Sequence, residues 1–190
     1  MTRYERLFHG LDRAAWAYFF LYFNINVGGV SLLPTFVGYL LFLGAIRLLE
    51  DEERELALIR PLAVLLGIWH GLAWLLSFIN IGLYGIPFID LIRNVIDIYF
   101  HFQLLTNLAA IALRHQPEDM ELDRKLLTYR TLQTLMITAI WIISSFSGLF
   151  GDYWGLISGG MGVVYVVAGF CLMRALFSLR RCLDPDTCPD

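Results

Sequence analysis

The chain has 190 residues, of which 58% are hydrophobic, 15% aromatic and 16% charged, with a formal net charge of −3 and a mean hydropathy of +0.64. Soluble domains average about 45–50% apolar and about 25% charged residues, so this composition excludes an ordinary soluble domain. The sequence has no basic stripe with interleaved aromatic residues outside the apolar stretches, so it gives no reason to expect nucleic-acid binding.

Charged residues are missing from four long stretches, 14–46, 61–89, 131–151 and 153–173. A charged side chain at the middle of a bilayer costs roughly 2.5–3.5 kcal/mol on insertion scales. A helix that rises about 1.5 Å per residue needs about 20 residues to cross the hydrocarbon. Each stretch is long enough to cross the hydrocarbon, so each predicts a membrane-spanning helix.

The first predicted helix, 7–23, is short and aromatic, so the sequence leaves open whether it crosses the membrane or forms a half-helix. The arginines before it and its apolar run resemble a secretory signal peptide, but no small-residue cleavage site follows, so we predict a retained helix. Polar and helix-breaking residues at 24–34, among them Gly28, Gly29 and Pro34, then interrupt the helix.

Five further helices are predicted after this break. An acidic connector, 50–55, is expected to form a solvated surface, a glycine-containing turn lies at 80–87, and a charged linker, 114–130, leaves the membrane. The tail 182–190 contains two prolines and three aspartates and is predicted to be flexible. The predicted fold is an all-α, polytopic membrane helix bundle over 1–181, with six transmembrane helices in three hairpins. The six spans are 7–23, 34–49, 56–78, 87–113, 129–149 and 154–179.

The basic residues are distributed unevenly between the two predicted sides. Of the 14 Lys and Arg, 13 fall on the side that carries both termini, and the three opposite turns contain none. The fourteenth, Arg93, lies inside the fourth helix. Because cytoplasmic loops carry an excess of Lys and Arg, both termini are predicted to be cytoplasmic. The stretch 14–46 must then hold two passes or a re-entrant hairpin.

The fourth helix carries a stripe of polar side chains, which are expensive inside a membrane and normally face protein or water. At about 100° per residue its members fall within an arc of roughly 100°. We call this set the helix-4 stripe, and it consists of Asp90, Arg93, Asn94, Asp97 and His101. Arg93 could be bracketed by two carboxylates along the helix. Two interpretations remain open, an ion-paired structural seam and a polar pathway or binding site.

Two histidines lie at similar predicted depths. His70 is ten residues beyond Arg60 on the third helix, and His101 is thirteen before Arg114 on the fourth. At about 1.5 Å per residue their depths differ by roughly 5 Å, so the two imidazoles could meet. Such a pair could bind a b-type haem or a metal, or pass a proton, whereas most membrane histidines only hydrogen-bond across a helix interface.

Small and hydroxylated residues mark the last two helices. Thr134 and Thr138 lie on one face of the fifth helix and are expected to pack or to line the cavity of the helix-4 stripe. Gly155 and Gly159 are spaced to let the sixth helix approach a neighbour closely. Cys171 is expected to pack among apolar residues, and Cys182 and Cys188 have no histidine partner nearby, so no metal site is predicted. No catalytic motif is recognisable, and an enzyme is not the favoured class.

The segment 26–39 has the pattern N-x-G-x-x-x-L-L-P-x-F-x-G-Y. It resembles small uncharacterised multi-spanning membrane proteins of Gram-positive bacteria, over about a fifth of the chain. The resemblance implies a bacterial plasma membrane and no particular activity.

Three functional hypotheses follow from these patterns. The leading one is a small transporter or channel-like component, a single chain or an oligomer, whose polar cavity is lined by the fourth helix. The second is a membrane subunit or scaffold whose stripe pairs with another membrane protein. The third is a haem- or metal-binding membrane protein that uses His70 and His101. The lipid bilayer is the one partner that all three require, and nucleic acid is not expected.

Overall fold

The computed structural model describes residues 2–23, 26–27, 30–31, 33–79, 87–117, 120–146, 148 and 150–183. In these residues six helices confirm the predicted all-α fold. The helices are α1 (Arg3–Tyr22), α2 (Thr35–Leu49), α3 (Glu55–Ser77), α4 (Pro87–His115), α5 (Leu122–Ser145) and α6 (Trp154–Cys182). A two-residue strand pair, β1 (Asn26–Val27) and β2 (Val30–Ser31), lies antiparallel between α1 and α2. The predicted turn residues at 24–25, 28–29 and 80–86, and the predicted tail at 184–190, lie outside the described residues.

Local side-chain chemistry sets several helix ends. Thr2 and Glu5 form a capping box at the start of α1, in which each side chain bonds the other residue's backbone N–H. Gln116 performs a similar role before α5, since its Oε1 accepts the N–H groups of Leu122 and Asp123 at 2.6 and 3.1 Å. A helix start needs acceptors for its free N–H groups, and Gln116 supplies one.

Several helix boundaries differ from those of the predicted spans. The fifth helix begins at Leu122 rather than at 129, because the charged linker is mostly helical up to His115 and again from Leu122. At the other end, Cys182 is still the last residue of α6, and Leu183 is buried in the core, so the predicted tail begins too early.

Four helical segments are long and apolar enough to cross a membrane, namely Glu55–Ser77, Phe88–His115, Leu122–Ser145 and Gly151–Cys182. α2 is apolar but has only 15 residues. The chain therefore has the composition of a membrane protein with at least these four segments as candidate spans.

Each helix packs antiparallel on the next, and α6 packs back on α1, so the six helices form a closed ring. Paired positions demonstrate the antiparallel directions. Gly10 faces Leu49 between α1 and α2, and Arg180 pairs with Asp12 between α6 and α1. The start of α1 and the end of α6 consequently lie at the same end of the ring. We call this the basic end, and the opposite end, where α5 and α6 are joined, the distal end.

The hydrophobic core lies in the basic half of the bundle. In α4 the buried hydrophobic residues run from Phe100 to Ala112, and in α6 the buried residues run from Gly169 to Leu179. The distal halves of α3, α5 and α6 instead expose large apolar side chains, among them Leu75, Leu135 and Leu156. Apolar surface of this extent suits lipid or another membrane protein.

The glycines of α6 pack differently from the prediction. A Cβ added to Gly155 or Gly159 would meet nothing within 4 Å in the described part of the chain, so the predicted packing role is not seen within this protomer. Gly169 is the close-approach position, because a Cβ there would lie 2.3 Å from the Tyr22 ring of α1. Gly38 does the same in α2, where a Cβ would lie 2.9 Å from the Ala17 carbonyl oxygen.

Candidate functional site

Part of the helix-4 stripe lines a cleft between α4, α5 and α6 in the distal half of the bundle. Arg93, Asn94 and Asp97 form its α4 wall, and the cleft has a volume of about 390 Å³. Asp90 lies one turn nearer the distal end and His101 one turn deeper in the core. The structure therefore brings three of the five predicted residues to one cavity.

The other walls of the cleft are mainly apolar and aromatic. α5 contributes Ile137, Ile140, Trp141 and Ser144, and α6 contributes Tyr165. The cavity therefore has one charged wall and one apolar wall. This combination suits a small amphipathic ligand, because apolar surface supplies affinity and a few placed polar groups fix orientation.

Thr134 and Thr138 do not line this cleft. Their hydroxyls donate to the backbone carbonyls of Arg130 and Thr134, one turn back along α5, at 2.9 and 2.8 Å. This local bond is a common way for threonine to satisfy its hydroxyl inside a helix. The hydroxyl-bearing residues that line the cleft are Ser144 and Tyr165.

Asp97 is held at the floor of the cleft by two other helix positions. The Tyr39 hydroxyl of α2 donates to Asp97 Oδ1 at 2.5 Å, and His101 Nε2 lies 3.5 Å from the same oxygen. The Asp97 side chain is 17% exposed, whereas that of His101 is 3% exposed. Asp97 is thus the point at which a buried polar network reaches the cleft.

His101 lies in an aromatic enclosure. Its Nδ1 is 3.4 Å from the Tyr18 hydroxyl of α1, and the rings of Tyr39, Phe42 and Phe100 surround it at centroid distances of 5.1–6.3 Å. A buried imidazole needs partners for both nitrogens, and here Tyr18 and Asp97 are the nearest.

His70 joins the network through Tyr39 rather than through His101. Its ring stacks on the Tyr39 ring with a centroid distance of 5.2 Å and an interplanar angle of 9°. Tyr39 therefore contacts both histidines. A haem iron ligated by His70 and His101 would require the Tyr39 ring to move aside. Within the described ranges no three His, Cys, Asp or Glu side chains converge on a metal-sized site.

Arg93 and Asn94 form the upper part of the charged wall. Arg93 Nη2 donates to Asn94 Oδ1 at 3.0 Å. Asn94 is 8% exposed, and its Nδ2 donor has no partner in the described part of the chain. Arg93 also lines a smaller apolar pocket of about 160 Å³ between α3 and α4. Asp97 accepts the hydrogen bond from Tyr39 and lies 3.5 Å from His101 Nε2.

Two buried amides continue the polar groups toward the basic end. Asn107 of α4 and Gln133 of α5 are 2% and 4% exposed. Asn107 Nδ2 and both polar atoms of Gln133 lack partners among the described residues. Nearby, Arg130 Nη1 donates to the Thr106 hydroxyl at 3.0 Å. Buried amides of this kind normally bind water.

The sequence pattern on one helix identified the stripe but not its partners. Tyr39, Tyr18 and Trp141 come from three other helices, and nothing in their local sequence separates them from ordinary apolar packing. One signal could have indicated Tyr39, namely that its predicted depth in the membrane matches that of Asp97.

The acidic connector at the basic end is exposed at Asp51, Arg54 and Glu55 and also forms a group of ion pairs. Glu52 accepts bonds from Arg3 at 2.5 and 2.9 Å, and its carboxylate lies 3.2 Å from His115 Nε2. Arg114 bonds Glu53, and Arg6 bonds Asp51. The hydrogen bonds from Arg3 hold the pKa of the Glu52 carboxyl below its ordinary value. The connector therefore ties α1 and α4 to the α2–α3 hairpin.

No protein-family model matches this chain, and the comparisons with curated proteins and with solved structures found no match either.

Proposed function

We propose that this chain is a six-span protein of a bacterial plasma membrane that carries a small amphipathic solute through the cleft beside α4. The observation that supports this most directly is the meeting of Arg93, Asn94 and Asp97 with an aromatic wall in one cavity of about 390 Å³. Ionisable groups inside a membrane segment are costly, and they are retained mostly where they serve a pathway, a binding site or a partner.

A carrier fits the packing better than an open channel does. The cleft lies in the distal half, whereas α4 below it is closed by Phe100, Leu104 and Leu108, each at most 1% exposed. A channel needs a continuous polar passage, but a carrier exposes its site to one side at a time. The buried amides of Asn107 and Gln133 supply a polar surface on the closed side.

The membrane location and orientation are supported by composition and charge. Four helical segments have the length and hydropathy of membrane spans. The basic end gathers nearly all the Lys and Arg, which favours a cytoplasmic position for both termini. The resemblance of segment 26–39 to membrane proteins of Gram-positive bacteria favours the plasma membrane.

A flux measurement tests the transport proposal. Purified protein in liposomes is challenged with a panel of amino acids, monocarboxylates and tetraalkylammonium ions, and charge movement is recorded on a supported membrane. We expect a protein-dependent current for one class, which Trp141→Ala reduces and the matched control Trp154→Ala leaves in place. Trp154 lies at the start of α6, outside the residues that line the cleft. If no compound of the panel produced a protein-dependent current, the result would favour pairing with a partner over transport.

A second candidate function is pairing with another membrane protein or with a second copy of the chain. The specific observation in its favour is the open glycine face of α6, where Gly155, Gly159 and Gly162 have nothing within 4 Å among the described residues. Small residues at such spacing let membrane helices approach closely. Gly159→Leu should then reduce the fraction of cross-linked oligomer in membranes. An unchanged cross-linking pattern would count against pairing through this face.

A further inference from the structure

We propose that Asp97 and His101 share one exchangeable proton at the floor of the cleft, and that a solute bearing a cationic group displaces it. The coupling part of this inference rests on the proposed transport function, whereas the proton site stands on the geometry alone. The site belongs to a general class in which buried carboxylates and imidazoles relay protons across membranes.

The two groups lie within ion-pair distance of each other. His101 Nε2 is 3.5 Å from Asp97 Oδ1, and the two side chains are 3% and 17% exposed. In such surroundings a net charge is costly, so an aspartate–imidazole pair is most stable when it holds one proton and is neutral overall. Loss of that proton leaves a carboxylate beside a neutral imidazole.

The two members of the pair differ in their access to water. Asp97 lines the cleft, whereas His101 is enclosed by aromatic rings. A proton leaving the pair therefore passes from His101 Nε2 to Asp97 Oδ1 and from there to water in the cleft. A returning proton follows the same path in the opposite direction. The step involves no electron transfer and needs no other reactant.

Titratable groups around the pair come from four helices besides α4. Tyr39 of α2 donates to the same Asp97 oxygen, and it holds the carboxylate in place in both states. Tyr18 of α1 lies beside His101 Nδ1, so it can accept from the protonated imidazole. His70 of α3 stacks behind Tyr39, and Tyr165 of α6 lines the cleft.

Arg93 gives the site a directional preference. It lies one helical turn, about 5.4 Å, from Asp97 on the same wall of the cleft. A solute with an ammonium group beside Asp97 would place a carboxylate within reach of Arg93 and of Asn94 Nδ2, which has no partner among the residues that the structure describes. The apolar part of the solute would then lie against Ile140 and Trp141. The fitting class is a zwitterionic amino acid with an apolar side chain.

Infrared difference spectroscopy tests the proton site directly. Purified protein is taken through a pH step, and the C=O stretch of a protonated carboxylic acid is recorded, with D₂O exchange as a check. We expect Asp97→Asn to remove a band that the matched control Asp152→Asn retains. His101→Gln should move the midpoint of that band, because the proton is no longer shared. Persistence of the whole band in Asp97→Asn would overturn the proton site.

Two further measurements cover folding and coupling. If Asp97→Asn does not fold, Tyr39→Phe should shift the frequency of the same band, since Tyr39 donates to that carboxylate; no shift would contradict the assignment.

In liposomes, uptake of leucine is compared with and without an imposed pH gradient. Uptake driven by the gradient supports the coupling, and gradient-independent uptake overturns it while leaving transport intact. A titrating Asp97 without any uptake would overturn the transport function and leave the proton site intact.

Discussion

The Tyr39 hydroxyl fixes the position of Asp97, since it reaches across from α2 to the Oδ1 atom. Hydrogen bonds to charged groups typically contribute about 1.5–3 kcal/mol to stability. We therefore expect Tyr39→Phe to lower the free energy of unfolding in detergent by an amount in that range. Tyr99→Phe is the matched control, because Tyr99 lies on the same helix as Asp97 but is 55% exposed. Equal stability of the two variants would show that the bond contributes nothing.

Glu52 makes the basic end sensitive to acid. Its pKa is lowered in the folded protein, mainly by the hydrogen bonds from Arg3, relative to the ordinary value of 4.5. A carboxyl with a depressed folded pKa stabilises the fold above its unfolded pKa, and this stabilisation is lost as the pH falls through the folded pKa. The contribution is thus complete at neutral pH and declines below about pH 4.5.

Glu52→Gln should therefore lower the melting temperature at neutral pH and flatten its fall on acidification. Thermal unfolding in detergent between neutral pH and about pH 3 checks this. Glu121→Gln is the control, since Glu121 is exposed and its ion pair among the described residues is with Arg124, three positions along the chain. If Glu52→Gln and the parent lost stability in parallel over that range, the role of this carboxylate would be rejected.

At the scale of the helix, the contact between α6 and α1 depends on Gly169. A leucine there has no room, because a Cβ alone would lie 2.3 Å from the Tyr22 ring. Overpacking of a core typically costs about 1–3 kcal/mol. We expect Gly169→Leu to lose stability of this order in a chemical unfolding experiment. Gly155→Leu, with open space around it, should stay within about 0.5 kcal/mol of the parent. The reverse order would mean that α6 packs through its other glycines.

Helix positions could largely be predicted because charges punctuate the apolar stretches. α2, α3 and α4 begin within a residue of the predicted spans. The start of α5 could not be, because it depends on Gln116 reaching across the turn to Leu122 and Asp123. Hydropathy reflects the cost of membrane insertion and does not report a helix cap of this kind.

The same distinction applies to the candidate site. The helix-4 stripe could be predicted because its spacing is a property of one helix. Its partners Tyr39 and Trp141 belong to α2 and α5, and their meeting with Asp97 depends on how the ring closes. The ring closes through contacts between helices distant in sequence, such as that of Tyr22 with Gly169. The helical spacing of polar residues within one segment does not indicate which residues of other helices they contact.

For the whole molecule, the two halves of the bundle have different mechanical roles. The basic half holds the core and the ion pairs around Glu52, which tie α1, α4 and the α2–α3 hairpin together. The distal half holds the cleft and has few buried side chains in α5 and α6. Segments with little burial open at low free-energy cost. Movement of α5 and α6 against a fixed basic half would therefore change access to Asp97.

This arrangement makes a definite prediction about orientation. If the basic end is cytoplasmic, a cysteine at Asp152 in the distal turn faces the exterior, and cysteines at Thr2 and Glu121 face the interior. Cys171, Cys182 and Cys188 are first replaced by serine, and intact cells are treated with a membrane-impermeant maleimide. We expect labelling of Asp152→Cys in intact cells, and of Thr2→Cys and Glu121→Cys only after the membrane is opened. If the cysteines at Thr2 and Glu121 were labelled from opposite sides, the chain would cross the membrane an odd number of times between them. The closed ring, in which α1 and α5 begin at the same end, requires an even number.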